Sequence, residues 1–415
     1  MRKKKIYIFM FNILILLLIF LLLNRFIINK TLPASSPSKE KQLSGEITAS
    51  ELNSGDNTNQ VANELKNESE INLININSTN LSTIKAVYSS GWIAGGENSR
   101  KEMIHNLNDY DFNAVVLDIK DEAGHLSYQS NVQTAIDIGA SRNMIKDIKL
   151  VLENYHENGI YVIGRIVTFK DPTYAKAIHD ISYHKADGTC WTDRSGNFWP
   201  NPYHKNSWEY PIALAKEAAE LGFDEIQFDY VRFPSSEGRV KEIVYGFDSE
   251  TVSKSEIINQ FLTKVMDELA DFKVNVSADV FGITTKRDGD FENIGQDYKA
   301  ISNIVDIICP MVYPSHYGRG EYHIPNPDLS PYEIVYGAMK DAQDRVSGDT
   351  QVAIVRPYLQ DFTASWLGRG NYQTYGNDAV SNQIKACYDL GITSFTLWDP
   401  SNQYCYEALQ MLETP

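Results

Sequence analysis

Cysteine is scarce in this 415-residue chain, and none of Cys190, Cys309, Cys387 and Cys405 falls at C-x-x-C spacing. Neither a zinc knuckle nor a dithiol redox pair is indicated. Cys309 sits inside an apolar run and reads as a buried thiol. A Cys387–Cys405 disulfide is permitted if the domain lies outside the cytoplasm. Positive charge is also short. Lys and Arg number 38 against 54 Asp and Glu, for a net charge of −16, and residues 1–30 hold six bases and no acid, which leaves about −22 on the rest. Phosphate backbones demand clustered Lys and Arg, so nucleic acid and strongly anionic polymers are excluded as partners, and a neutral substrate fits better. His179 and His184 stand five apart and His316 stands alone, so no metal-ligand set is visible and no metal or other cofactor is expected. There is no G-x-S-x-G elbow. Gly91-Trp-Ile-Ala-Gly95-Gly96 does not match the dinucleotide fingerprint.

The amino terminus is built differently. Five residues, Met1-Arg-Lys-Lys-Lys5, precede an apolar run from Ile6 to Leu23 broken only by Asn12. Some 18 apolar residues rise about 27 Å as a helix, enough to cross a bilayer with slight thinning. The basic cluster stays on the cytoplasmic side, which places the remainder outside. The Asn24–Ile28 segment offers no small-x-small cleavage site, so an uncleaved anchor is expected over residues 1–29, with secretion after cleavage as the alternative. Residues 30–83 are rich in Ser, Asn, Glu, Lys and Thr and poor in aromatics, the composition of a flexible stalk.

From Ile84 to Pro415, strand-like apolar runs alternate with segments of helical period. The expected strands are Lys85–Tyr88, Ala114–Ile119, Ile160–Ile166, a run ending at Asp229, Val274–Val280, Val305–Val312, Gln351–Tyr358 and Ile392–Trp398. Eight strands in alternation with helices predict an α/β fold, a (β/α)8 barrel, rather than an open sheet. Helices are expected to open at Ser99, Ser207 and Ser255, and most clearly at Ser330-Pro-Tyr-Glu333, where a cap, a first-turn proline and a capping-box acid coincide. The second helix is expected to include Ile145, Ile148, Leu152 and Tyr155. The long stretch Thr168–Asn206 holds Trp191, Trp199, Asn201, Tyr203 and His204. Its aromatics could stack on sugar rings or pack the loop onto the barrel mouth.

The run Gly222-Phe-Asp-Glu-Ile-Gln-Phe-Asp229-Tyr-Val-Arg232-Phe-Pro234 organises the rest. A helix-ending glycine leads into a strand that stops on Asp229, and the carboxyl edge of barrel strands is where chemistry occurs. The same rim is expected to gather Asp118, Arg165, Asp279, Tyr313, Arg356, Tyr358 and Trp398. Glycoside hydrolysis needs two carboxyl groups across a sugar, one anionic and one protonated. Asp229 is assigned as nucleophile or base and Asp279 as general acid, with Asp118 or Asp361 as possible substitutes. Arg165 and Arg232 are expected either to keep a neighbouring acid ionised or to pair with a structural carboxylate. Asp118, Arg165, Arg232, Tyr313, Asp361, Trp398 and Asp399 are expected to bind substrate or support the pair.

The segments Tyr88-Ser-Ser-Gly-Trp92, Ala114–Asp121, Gly164–Asp171, Phe223–Pro234 and Cys309-Pro-Met-Val-Tyr-Pro314 resemble a bacterial family of glycoside-hydrolase-like barrel domains. The resemblance spans Ile84 to Leu412. It implies the barrel fold, sugar cleavage and a catalytic Asp on strand four, a role that transfers only to Asp229. The expected function is a membrane-tethered glycoside hydrolase acting on a cell-envelope or environmental polysaccharide. A barrel that binds glycan without cleaving it, organising the cell wall, is the alternative. Oligomeric state is not specified by the sequence.

Overall fold

The structure is a computed structural model and describes residues 80–235, 239–350 and 352–412. The expected anchor (1–29) and nearly all of the stalk lie outside the described residues, as does the proposed membrane contact. The last stalk residues do not behave as linker. Leu81–Thr83 form a 3-10 turn capped by the Asn80 side chain, and Leu81 packs against residues of the barrel interior.

In chain order the strands are β1 (Lys85–Ser89), β2 (Ala114–Lys120), β3 (Leu126–Tyr128), β4 (Ser141–Ile145), β5 (Tyr161–Val167), β6 (Glu225–Asp229), β7 (Asn275–Phe281), β8 (Ile307–Met311), β9 (Ile354–Val355), β10 (Tyr358–Gln360) and β11 (Phe395–Trp398). Among the described residues, β1, β2, β5, β6, β7, β8, β10 and β11 run parallel in that cyclic order, and β1–β2 pairing closes the ring. This is the expected eight-stave barrel. The seventh stave differs from the expected continuous strand. It is split into β9 and β10 around Arg356-Pro357, because proline has no N–H to donate to a ladder.

Period-two alternation sorts each stave into an outward and an inward set. Outward residues such as Ile226, Phe228, Val162 and Leu397 join the large core beneath the helices. Inward residues form two smaller apolar groups, one around Ala86, Val116 and Ile163 and one around Ile307, Cys309 and Tyr358. Along β6 the inward set is polar throughout, with Glu225, Gln227 and Asp229 occupying successive layers.

Several local expectations change. Ile145 ends β4, and the helix begins at Ile148 with Asp147 accepting from Leu150 N–H. The short arm β3–β4 is an insertion that the sequence reading passed over. The Gly91–Gly95 stretch is one helical turn capped by Ser90. The next helix starts at Glu97, and the Ser99 hydroxyl instead donates to the carbonyls of Ile93 and Gly96. Ser207 lies in a 3-10 turn ahead of the Glu209–Leu221 helix. Ser253 rather than Ser255 caps the helix beginning at Lys254. The Pro331 start holds, without a side-chain cap bond from Ser330. Cys387 and Cys405 are not bonded to each other; all four cysteines are free.

Candidate active site

Gly222 ends the Glu209–Leu221 helix at φ 103°, a left-handed conformation suited to glycine, and delivers the chain into β6. That strand stops on Asp229 as expected. Tyr230 then adopts φ 50°, unusual for a non-glycine residue, and its N–H turns back to donate to Asp229 Oδ1 at 2.6 Å. The other oxygen, Oδ2, accepts from Arg165 Nη2 at 2.5 Å and Nε at 3.0 Å. Arg165 rises from β5, the neighbouring stave, and its third bond goes to Asp118 Oδ1 on β2 at 2.7 Å. Tyr88 donates to Asp118 Oδ2 at 2.6 Å. Burial opposes a charge on Arg165, but Asp229 and Asp118 overcome it and hold the guanidinium well above its ordinary range. Burial raises the Asp118 carboxyl against the pull of Arg165. With both oxygens bonded, Asp118 positions Arg165 from behind and is not a free acid.

Asp279 ends up beside Asp229 because β6 and β7 pair with Phe228 opposite Ala278. Adjacent strands lie about 4.8 Å apart, so the two inward carboxyl groups face one cavity. Their surroundings differ. Asp279 is 1% exposed, Oδ1 has no hydrogen-bond partner, and none of the described basic side chains pairs with it. Burial, and then the charge of Asp229, push its pKa well above the carboxylate range.

The two acids open into a cleft of about 370 Å³, also lined by Tyr313, Phe281, Trp398 and Arg232. Trp398 packs against Tyr88 with ring centres 4.2 Å apart and planes tilted by 36°, and lies 5.2 Å from the Arg165 guanidinium. Gly282 forms part of the wall where a Cβ would meet Met311 O at 2.5 Å and Tyr317 Oη at 2.6 Å, so only glycine fits.

Arg232 lines the cleft, as expected of a supporting residue, but makes no ion pair with the described residues. Among the described residues no carboxylate lies within ion-pairing distance. Its Nη1 donates to Phe233 O at 2.9 Å, and the guanidinium lies 4.5 Å from the Phe281 ring, 4.9 Å from Tyr230 and 5.5 Å from Trp199. Burial lowers its pKa. It is a cation in the cleft wall held by aromatic faces.

Arg356 is not at the rim either. It is fully buried at the opposite end of the barrel interior, where Nη1 bonds both oxygens of Glu225 at 2.9 and 3.0 Å. Tyr358 sits one layer higher and donates to Gln227 Oε1, while its ring lines the cleft. Asp361 and Asp399 lie in an adjoining groove rather than with Asp229 and Asp279. Asp399 holds the turn after β11 by accepting from Ser401 N–H and hydroxyl. In the long 168–206 stretch, Trp191, Asn201 and Tyr203 are buried and pack the loop onto the barrel, and of these aromatics Trp199 alone approaches the cleft, through Arg232. The sequence reading missed Glu122, Tyr230 and Phe281 as cleft walls. Only their closeness in sequence to Asp118, Asp229 and Asp279 hinted at them.

Residues 86–404 match the family described as "Putative glycosyl hydrolase domain". The chain belongs to that family. No curated protein matches it. A hypothetical protein from Ruminiclostridium thermocellum ATCC 27405 is 39% identical, over 47% of this chain and 97% of that one, with a TM-score of 0.43. The PgaB (BpsB) glycoside hydrolase domain from Bordetella bronchiseptica is 11% identical, over 79% of this chain and 98% of that one, at a TM-score of 0.52. A β-galactosidase from the psychrophilic Marinomonas ef1 is also 11% identical, over 79% of this chain and 58% of that one, at 0.54. At 11% identity the last two likenesses show the barrel fold alone. The family match makes the domain a glycosyl hydrolase, with carbohydrate as its substrate.

Proposed function

We propose that the domain cleaves O-glycosidic bonds of a cell-envelope or environmental polysaccharide, with Asp229 as nucleophile or general base and Asp279 as proton donor. The observation that carries this reading is the asymmetry of two neighbouring carboxyl groups. Asp229 is held by an arginine, whereas Asp279 is buried, ion-paired with none of the described basic side chains, and has its pKa pushed upward. An anionic carboxylate facing a protonated one is the pair that glycoside hydrolysis requires. Asp279 gives its proton to the departing glycosidic oxygen as the C–O bond breaks. Asp229 either attacks the anomeric carbon or takes a proton from the water that does. The spacing of adjacent strands favours the close carboxyl separation of a retaining mechanism, about 5–5.5 Å, over the wider gap of an inverting one.

The reading extends to location, with a chain held in the membrane through Ile6–Leu23 and the barrel outside. Its support is the sequence pattern alone. The full-length protein in detergent, incubated with wall and exopolysaccharide glycans, should release reducing ends, and Asp229→Asn should not. Unchanged release by a folded Asp229→Asn protein would overturn the assignment. Protease accessibility of the barrel in intact cells tests its location.

A further inference from the structure

Next to the catalytic cleft lies a larger groove of about 720 Å³, and Tyr313, His316 and Trp398 line both. From this shared wall an aromatic path leads outward. The Tyr313 ring lies 5.3 Å from His316 and 5.5 Å from Phe362, and Phe362 stacks on Trp366 at 5.8 Å with the ring planes 22° apart. Trp366 is 65% exposed although it lies in this path. Stacked on one side against Phe362, the Trp366 ring leaves its other surface open to the groove's surroundings. Sugar rings present apolar C–H faces and hydroxyl edges, and the groove supplies both complements. Asp361, in the groove lining, is 3% exposed; Oδ2 accepts from Cys405 N–H at 2.8 Å and Oδ1 has no hydrogen-bond partner among the described residues. A buried carboxyl oxygen without a partner is costly unless a ligand completes it. Burial raises the Asp361 pKa to about 7, so near neutrality the group can offer a proton to a hydroxyl as well as accept one. Ser401 and Gln403 add polar edges to the groove.

We infer that this groove is a second sugar-binding subsite, continuous with the catalytic cleft, and that the substrate is an extended glycan chain whose neighbouring units lie on the Phe362–Trp366 platform. The inference rests on the hydrolase reading for the identity of the ligand as carbohydrate. The subsite contributes affinity that grows with chain length, and the chemistry stays at Asp229 and Asp279.

The test uses the full-length chain in detergent with length-resolved oligosaccharides, about two to eight units long, from partial hydrolysates of peptidoglycan strands, chitin and cellulose. Binding is measured on the wild type, Trp366→Ala, Trp366→Phe and Asp229→Asn. Affinity should rise with length in the wild type. Trp366→Ala should weaken the longer chains about tenfold, the scale of one lost aromatic contact, and leave the shortest unaffected. Trp366→Phe should restore most of the difference. Because Trp366 is exposed, its replacement leaves the core intact. Length-independent binding, equal loss for short and long chains, or binding of none of these probes would overturn the proposal. If the wild type binds with length dependence yet cleaves nothing, the catalytic reading fails and the subsite stands.

Discussion

Arg165 directs two of its donors, Nη2 at 2.5 Å and Nε at 3.0 Å, to the same oxygen of Asp229. Among the described residues, Asp279 on the next strand faces the same cleft with no such partner. One guanidinium thus distinguishes two chemically identical side chains, binding the first and leaving the second buried without it.

The division makes a prediction about pH. Asp279 has a folded pKa raised above the unfolded value of about 3.9. The unfolded chain therefore releases this proton first as pH rises, and stability is lost from about pH 4 upward to the folded pKa. Asp279→Asn should remove that loss. The variant should be more stable than wild type at neutral pH, on the order of 1 kcal/mol, with the advantage vanishing below about pH 4. Urea denaturation at a series of pH values measures it. Catalytically, the same variant should lose about 10²–10⁴-fold on substrates with poor leaving groups, and far less on aryl glycosides whose leaving group needs no proton. Equal losses on both would remove Asp279 from the role of proton donor.

Arg232 supports a prediction of opposite signs. Its buried charge has no carboxylate partner among the described residues and lines the cleft. Arg232→Met keeps much of the volume and removes the desolvation cost, so stability should hold or rise by about 1 kcal/mol. Activity should fall, because the cleft loses a cation. Thermal denaturation beside kcat/KM decides it: a destabilised variant with full activity would make Arg232 a purely structural residue.

At the other end of the barrel, Arg356 and Glu225 are both wholly buried and bonded through two contacts. Removing either partner alone should cost about 3–5 kcal/mol, because a buried charge is left uncompensated. Arg356→Met combined with Glu225→Gln should recover a large part of that loss. A double-mutant cycle by chemical denaturation gives the coupling. In the folded fraction of each single variant the pH profile of cleavage should shift, because Glu225 and Arg356 act with opposite sign on the Asp279 carboxyl above them, and the double variant should shift it less.

The barrel and the end of β6 at Asp229 were legible in the amino-acid sequence. Alternating apolar runs, helical periods and a glycine before a strand are local signals, and local sterics and burial enforce them wherever they occur. The same locality explains why Asp118, Arg165 and Asp279 could be placed near one rim, since each closes or nearly closes a strand. What those residues do to one another was decided by the tertiary structure. Arg165 and Arg232 both follow apolar runs in the sequence, yet strand register turns the first onto Asp229 and Asp118, and chain reversal at Tyr230 carries the second among aromatic rings. Arg356 sits on the same expected strand as Tyr358, but a two-residue step along a stave is one layer of depth, and that step separates a buried ion pair from the cleft. Asp361, one residue past its strand, turns away into the neighbouring groove. Charge pairing depends on distances of a few ångströms between segments far apart in the chain. The sequence determined where the strands run and end, and only the closed barrel decided which side chains reach the rim and which of them meet.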